Sequence, residues 1–197
     1  MSKILRLTCL VSMLLAAAPA IAGDVASDKQ AVIESIDAHQ SELVDLADQV
    51  WVFAETALRE TRSAAILADY AEAHGFEVER GVAGMPTAFV ASFGEGRPII
   101  GILGEYDALP GLSQRIQPTR EALVPGAAGH GCGHNLLGAA GLGAALAVKE
   151  LIASGELSGT VRFYEGNFSA YEEWRQREMG DRLFENRRNR YRTLVKA

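Results

Sequence analysis

The segment PIIGILGEYD, residues 98–107, decides the fold, because an apolar run leads directly into a polar cluster. A run without polar alternation is typical of a strand buried on both faces, so we predict a central strand over residues 98–103. A long proline-containing loop follows over residues 104–133, then a helix over residues 135–154 and a strand over residues 159–164. Strand, loop, helix and strand make a βαβ unit, which predicts a parallel or mixed sheet covered by helices.

The preceding segments predict further elements of an α/β fold. Apolar residues recur at helical spacing over residues 27–55, and a second helix is predicted over residues 61–74, where Gly75 ends it. Short strands are predicted over residues 76–79 and 87–93. The helix over residues 135–154 is rich in small residues, so its backbone can lie close against the sheet. We expect its apolar length to be too short to span a membrane.

The first 22 residues have the pattern of a secretory signal peptide. Lys3 and Arg6 precede an apolar run, and Ala20-Ile21-Ala22 forms a small-x-small cleavage site. An uncleaved membrane anchor is disfavoured, because the run is shorter than the roughly 20 residues that a span requires. We therefore expect a periplasmic or secreted protein in which Cys132 is the one remaining cysteine.

Two groups of polar residues flank the predicted loop. Glu105 and Asp107 follow the apolar strand directly, and GHGCGH, residues 129–134, precedes the next helix. Ligands of open α/β sheets bind beyond the carboxyl ends of the strands. The topology therefore predicts that the two groups meet in one crevice.

The residue types in these groups favour a metal site. Thiolate and imidazole are ligands of zinc and similar metals, and Gly133 lets the backbone turn Cys132 and His134 toward one ion. Adding His130 to the same ion would strain so short a loop. Glu105 and Asp107 are able to add oxygen ligands or to orient a histidine. Two alternatives stay open, namely a glycine-rich turn with an inert cysteine and a thiol nucleophile paired with His134.

Two motifs resemble a known family. LGEYDALPGLSQ, residues 103–114, and GHGCGHNLLGAAGLGAALAVKE, residues 129–150, resemble the M20 family of metal-dependent peptidases and amidohydrolases, nearest to subfamily D, the aminobenzoyl-glutamate hydrolase type. The resemblance extends over residues 28–164. It implies an αβα sandwich of the zinc-exopeptidase type with an inserted dimerisation domain. It also implies a site for two divalent ions, zinc or manganese, that cleaves the amide bond of an N-acyl amino acid, an aminobenzoyl-glutamate-like substrate or a dipeptide.

The resemblance also assigns roles to residues. Cys132 and His134 correspond to metal ligands, and Asp107 corresponds to the catalytic aspartate that steadies the site at its strand end. Glu105 and His130 are candidates for residues that surround and support the ligands. The implied partners are a small amide or dipeptide substrate and a second copy in a homodimer. We expect no nucleic acid and, after signal cleavage, no membrane.

The sequence departs from the family pattern after the strand GTVRFY. The family places a paired-glutamate motif shortly after this strand, where one glutamate is the general base and its neighbour a ligand. Glu172 and Glu173 are adjacent glutamates, but they lie too far downstream. We therefore expect residues 23–164 to be a truncated catalytic domain with weak or no activity. The alternative is a non-catalytic secreted fragment that binds metal or oligomerises.

Residues 165–197 differ in character from the rest of the chain. They hold eight basic against six acidic residues, a net charge of +2, whereas residues 1–164 hold eleven against nineteen, a net charge of −8. We expect a charged tail that is helical or disordered. It resembles the C-terminal end of ABC-F ATPases of the translational-throttle type but has no ATP-binding motif. A fusion, frameshift or assembly artefact is favoured over an evolved two-part protein.

Overall fold

The computed structural model describes residues 25–165. Its elements are α1 Val25–Phe53, α2 Thr61–Ala73, β1 Glu77–Arg80, a 3₁₀ turn Val82–Gly84, β2 Phe89–Gly94, β3 Ile99–Gly104, α3 His134–Ser154 and β4 Thr160–Glu165. The predicted signal peptide and residues 166–197 of the predicted tail lie outside the described residues, so both stay predictions. Glu165, the first residue of the predicted tail, is the last residue of β4.

The four strands form one mixed sheet in the order β1-β2-β4-β3. β4 pairs in parallel with β3 and antiparallel with β2, and β1 pairs antiparallel with β2. The parallel β3-α3-β4 unit confirms the predicted βαβ crossover. β2 and β3 follow one another in the chain but are not neighbours, since β4 is inserted between them.

β3 lies at the edge of the sheet that residues 25–165 form, so the prediction of a central strand is wrong for this part of the chain. Ile99 and Leu103 are 39% and 44% exposed. The apolar run indicated a strand, but it carries no information about how many strands pair with the backbone.

The described helices share one core with one face of the sheet. Phe89 and Phe163 point from β2 and β4 into this core, where they join Leu67 of α2 and Leu142 of α3. On the other face, Val90 packs against Val82 and Ala88. The mixed α/β class is confirmed. Residues 25–165 contain two layers of the predicted αβα sandwich, namely the sheet and the helices on one of its faces.

Helix α3 has a longer apolar stretch than we expected from the sequence. It has 21 residues, and by length and composition it is able to cross a membrane, so the expectation that it is too short was wrong. A core helix has the same composition. Ala139, Leu142 and Leu146 are buried in the core that the sheet and the other helices share.

The start of α2 is fixed by Glu55. Its carboxylate accepts hydrogen bonds from the backbone nitrogens of Arg62 and Ser63, at 3.0 and 2.9 Å, and from the Ser63 hydroxyl at 2.9 Å. Burial alone would raise the pKa of Glu55, but these hydrogen bonds hold the pKa below its ordinary value. The Glu55 carbonyl in turn accepts from the backbone nitrogen of Ala108 at 2.7 Å, which anchors the chain just beyond the end of β3.

Candidate metal centre at the end of β3

The residues after β3 alternate between the core and the surface. Tyr106 is fully buried, and its hydroxyl donates to the backbone carbonyl of Thr87. Side chains alternate along an extended chain, so the neighbours of Tyr106 point the other way. The side chains of Glu105 and Asp107 are 47% and 24% exposed. The buried tyrosine thus holds two carboxylates at the surface.

A short backbone pairing brings the loop before α3 to this strand end. Leu109 and Gly129 exchange two backbone hydrogen bonds of 3.0 and 3.1 Å. A Cβ at Gly129 would lie 2.3 Å from the carbonyl oxygen of Leu112, so only glycine fits there. Gly133 has a left-handed φ of 80° immediately before α3, and this turn places His134 at the first position of the helix.

His134 contacts both carboxylates. Its Nδ1 lies 2.8 Å from Asp107 Oδ1 and 3.0 Å from the Asp107 carbonyl oxygen. Because a carbonyl oxygen only accepts, Nδ1 carries the proton and donates it to Asp107. The lone pair of a neutral His134 is then on Nε2, which faces Glu105 Oε2 at 3.3 Å. Two acceptors at that distance need a proton or a cation between them.

The residues fit a divalent metal ion. Ligand bonds of about 2.0–2.2 Å in tetrahedral geometry separate neighbouring ligand atoms by about 3.4 Å, close to the 3.3 Å between His134 Nε2 and Glu105 Oε2. A metal-binding histidine usually donates its other ring nitrogen to a carboxylate or carbonyl, as His134 does to Asp107. The nitrogen and oxygen donors of this strand end therefore suit zinc and similar ions.

Cys132 lies in the turn two residues before His134. It is a free cysteine with an exposed side chain, so it is open to solvent on the surface where His134 begins α3. Among residues 25–165, the one group in which three potential ligand atoms lie within 4.8 Å of one another contains neither the residues around His134 nor Cys132. Its role as a metal ligand stays a prediction.

His130 is buried beside the same site. Its Nε2 lies 3.0 Å from the carbonyl oxygen of Val50, to which it donates, and this bond ties the loop to α1. Burial lowers the pKa of His130, which favours the neutral ring. Its Nδ1 has no hydrogen-bond partner among the described residues. The supporting roles of His130 and Glu105 around the metal stay predictions.

A second cluster of potential ligands was missed by the sequence analysis. It contains His39 and Glu42 of α1 and His74, which follows α2. The spacing of His39 and Glu42, three residues apart on one helix, is a weak signal in the sequence. Nothing in the spacing indicates His74, because only the packing of α1 on α2 brings it there.

Comparisons with known proteins agree with the fold and the motifs. No family model matches the chain. Over 134 residues the sequence is 51% identical to a subunit of the p-aminobenzoyl-glutamate hydrolase of Escherichia coli K12, a match that covers 66% of this chain and 27% of that protein. The chain thus spans about a quarter of the length of this curated relative.

Two solved structures have the same fold. A dinuclear metal binding peptidase of the M20 family from Bacillus subtilis matches 66% of this chain and 35% of its own, with a TM-score of 0.55 and 27% identity. A proposed aminohydrolase from methicillin-resistant Staphylococcus aureus matches 69% of this chain and 34% of its own, with a TM-score of 0.57 and 22% identity. The matched part of this chain is therefore related, in sequence and in fold, to the M20 family of metal-dependent peptidases and amidohydrolases.

Proposed function

We propose that this chain binds a divalent metal ion, zinc or manganese, through Cys132 and His134, and that the site serves the hydrolysis of an amide bond. The observation that carries the proposal is the arrangement of His134, whose Nδ1 is held by Asp107 and whose Nε2 faces the Glu105 carboxylate at 3.3 Å. The relative of 51% identity is part of a p-aminobenzoyl-glutamate hydrolase. We therefore propose aminobenzoyl-glutamate-like amides or N-acyl amino acids as substrates.

The chain's own residues would orient the site. Asp107 accepts the Nδ1 proton of His134, which fixes the tautomer and keeps Nε2 available as a ligand. Cys132 would supply a thiolate from the turn before α3. A bound divalent ion supplies polarisation of the amide carbonyl and a lowered pKa of its water. The Glu105 carboxylate, 47% exposed, faces His134 Nε2 at 3.3 Å and would lie beside the bound ion.

We propose that turnover by this chain is weak. The sequence that follows GTVRFY does not contain the family's paired glutamates at the expected position. Loss of a general base costs on the order of 10²–10⁴ in rate. Metal and substrate would then still bind at the site, while hydrolysis of the substrate would be slow.

The test combines metal binding with amide hydrolysis by the purified full chain. We expect binding of zinc or manganese that Cys132→Ser and His134→Asn each weaken, with slow, chelator-sensitive release of p-aminobenzoate from p-aminobenzoyl-glutamate. Unchanged metal binding in both variants would overturn the proposed ligands. Fast, chelator-sensitive turnover would show that the chain holds a general base that we do not assign. Thiol catalysis predicts instead that alkylation abolishes activity and that a chelator does not.

A non-catalytic, associating role is the second candidate, and two surface features favour it. An apolar groove of about 470 Å³ lies between α1 and α3, where Val44 and Leu136 are 52% and 61% exposed. The apolar edge strand β3 is a surface to which another strand could add. We propose association with a second copy or a related chain. Light scattering on the purified chain tests this, and a monomer at all concentrations would contradict self-association.

We also propose export, on the basis of residues 1–22 alone. The prediction is a periplasmic or secreted protein whose N-terminus is Gly23. Cell fractionation with N-terminal sequencing tests it, and a cytoplasmic chain that begins at Met1 would contradict it.

A further inference from the structure

His39, Glu42 and His74 form a compact cluster at the surface, on residues that the proposed hydrolase site does not use. Glu42 Oε2 lies 3.3 Å from His39 Nδ1 and 3.5 Å from His74 Nε2. The two imidazole rings meet edge to face, with centroids 5.2 Å apart. All three ligand atoms lie within 4.8 Å of one another.

The hydrogen bonds of the outer ring nitrogens leave lone pairs directed into the cluster. His74 Nδ1 donates to the backbone carbonyl of Tyr70 at 2.8 Å, so the lone pair of a neutral His74 is on Nε2, which faces Glu42. His39 Nε2 lies 3.3 Å from Glu150 Oε1. When it donates there, its Nδ1 lone pair also faces Glu42. In that tautomer Glu42 Oε2, which also accepts from the Tyr70 hydroxyl, faces two lone pairs.

The distances between the ligand atoms suit a shared metal ion, and the 3.3 Å between His39 Nδ1 and Glu42 Oε2 is also a hydrogen-bonding distance. A charge-assisted hydrogen bond between an imidazolium and a carboxylate is about 2.7–2.9 Å long. Ligand atoms that share one tetrahedral ion lie about 3.4 Å apart. The observed separations of 3.3 and 3.5 Å match the second case.

The surroundings resemble those of a metal site. Histidine ligands of metals usually donate their other nitrogen to a carboxylate or a backbone carbonyl. Here Glu150 of α3 contacts His39, the Tyr70 carbonyl contacts His74, and the Tyr70 hydroxyl donates to Glu42 at 3.1 Å. The imidazoles are 23% and 22% exposed and Glu42 is 52% exposed, so an ion can reach the cluster from solvent.

We propose that His39, Glu42 and His74 bind a zinc-like divalent transition metal ion through two imidazole nitrogens and one carboxylate oxygen. Solvent completes the coordination, as in other sites with three protein ligands. The bound ion joins α1 to the C-terminal end of α2. This inference does not depend on the proposed hydrolase site.

The experiment is a zinc titration of the full chain carrying Cys132→Ser and His134→Asn, against a chromophoric chelator at about pH 7.5, where free imidazole is neutral. We expect one zinc equivalent to remain bound. In this background His74→Gln and Glu42→Gln each weaken the affinity at least tenfold, and Glu150→Gln weakens it up to tenfold. Glu34→Gln, a matched change of an exposed carboxylate on the same helix α1, leaves the affinity unchanged.

Cobalt substitution gives an independent readout of the same cluster. Cobalt bound by the Cys132→Ser/His134→Asn chain shows ligand-field bands without a thiolate charge-transfer band, and Glu42→Gln removes the ligand-field bands. Circular dichroism establishes that each variant is folded. If a histidine variant does not fold, the zinc affinity of Glu42→Gln is compared with that of the parent chain, and this comparison tests the proposal. Absence of zinc binding in the parent chain, or an affinity that neither Glu42→Gln nor His74→Gln changes, overturns the proposal.

Discussion

Gly138 lies where α3 meets the end of β3, and Gly138→Ala tests whether this close approach holds the candidate metal centre together. A Cβ at Gly138 would lie 3.1 Å from the carbonyl oxygen of Glu105, 3.2 Å from Tyr106 Cβ and 3.5 Å from Leu67 Cδ1. The first two atoms belong to the backbone or sit directly on it, so they cannot rotate away. The helix and the strand end must separate by a few tenths of an ångström.

Two opposing effects set the size of the change. Overpacking of a well-packed core costs about 1–3 kcal/mol. Alanine is about 1 kcal/mol better than glycine inside a helix. We therefore expect Gly138→Ala to lower the free energy of unfolding by about 1 kcal/mol, which corresponds to a Tm decrease of about 2–4 °C for a chain of this size.

Gly143→Ala is the matched control on the same helix. Its Cβ would lie 2.7 Å from Leu43 Cδ1, the end of a flexible and partly buried side chain that is free to change rotamer. The helix-propensity gain then dominates, and stability stays equal or rises by up to about 1 kcal/mol.

Thermal unfolding in chelator, followed by circular dichroism, and zinc affinity together form the assay. Gly138→Ala should lower both Tm and zinc affinity, because Gly138 lies one turn after His134 and under Glu105. Gly143→Ala should lower neither. A Gly138→Ala protein that is more stable than wild type, with unchanged zinc affinity, would refute the reasoning.

Three further substitutions test the surroundings of the site. Glu55→Gln should lower the free energy of unfolding by about 2 kcal/mol at pH 7. Because the folded pKa of Glu55 is depressed, the stability advantage of the wild type is present above the ordinary value of 4.5 and is lost as the pH falls through the folded pKa. Urea unfolding measures this, and an equal difference between the two proteins at pH 7 and at pH 3 would contradict it. Tyr106→Phe removes the hydroxyl that donates to the Thr87 carbonyl and should lower the free energy of unfolding by about 1–3 kcal/mol in the same assay. An unchanged free energy of unfolding would contradict a stabilising role of this hydrogen bond. Asp107→Asn should weaken zinc binding about 10- to 100-fold, because His134 loses its charged partner; chelator competition measures this, and an unchanged affinity would show that Asp107 does not orient the ligand.

The helices were predictable from the sequence, because local signals define them. Apolar periodicity and Gly75 indicated a helix over residues 61–74, and α2 is Thr61–Ala73. Residues 135–154 were predicted as a helix, and α3 begins one residue earlier at His134. Strand order was less predictable, since consecutive strands are neighbours in only about two-thirds of cases. Nothing local indicated that β4 lies between β2 and β3.

The meeting of the two polar groups was predictable from topology. Glu105 and Asp107 follow one strand of a βαβ unit and His134 begins its helix, and the structure brings all three side chains into contact. Which atoms meet was not predictable, because that depends on the pairing of Leu109 with Gly129. The cluster at His74 depends on helix packing alone, which residue spacing does not indicate.

The most direct test of the proposed metal centre is the zinc coordination measured by X-ray absorption. The chain should carry Glu42→Gln, so that zinc at the second cluster is depleted while Cys132 and His134 stay intact. We predict one sulfur scatterer at about 2.3 Å and nitrogen or oxygen scatterers at about 2.0–2.2 Å. A first coordination shell without sulfur would contradict the assignment of Cys132 as a ligand.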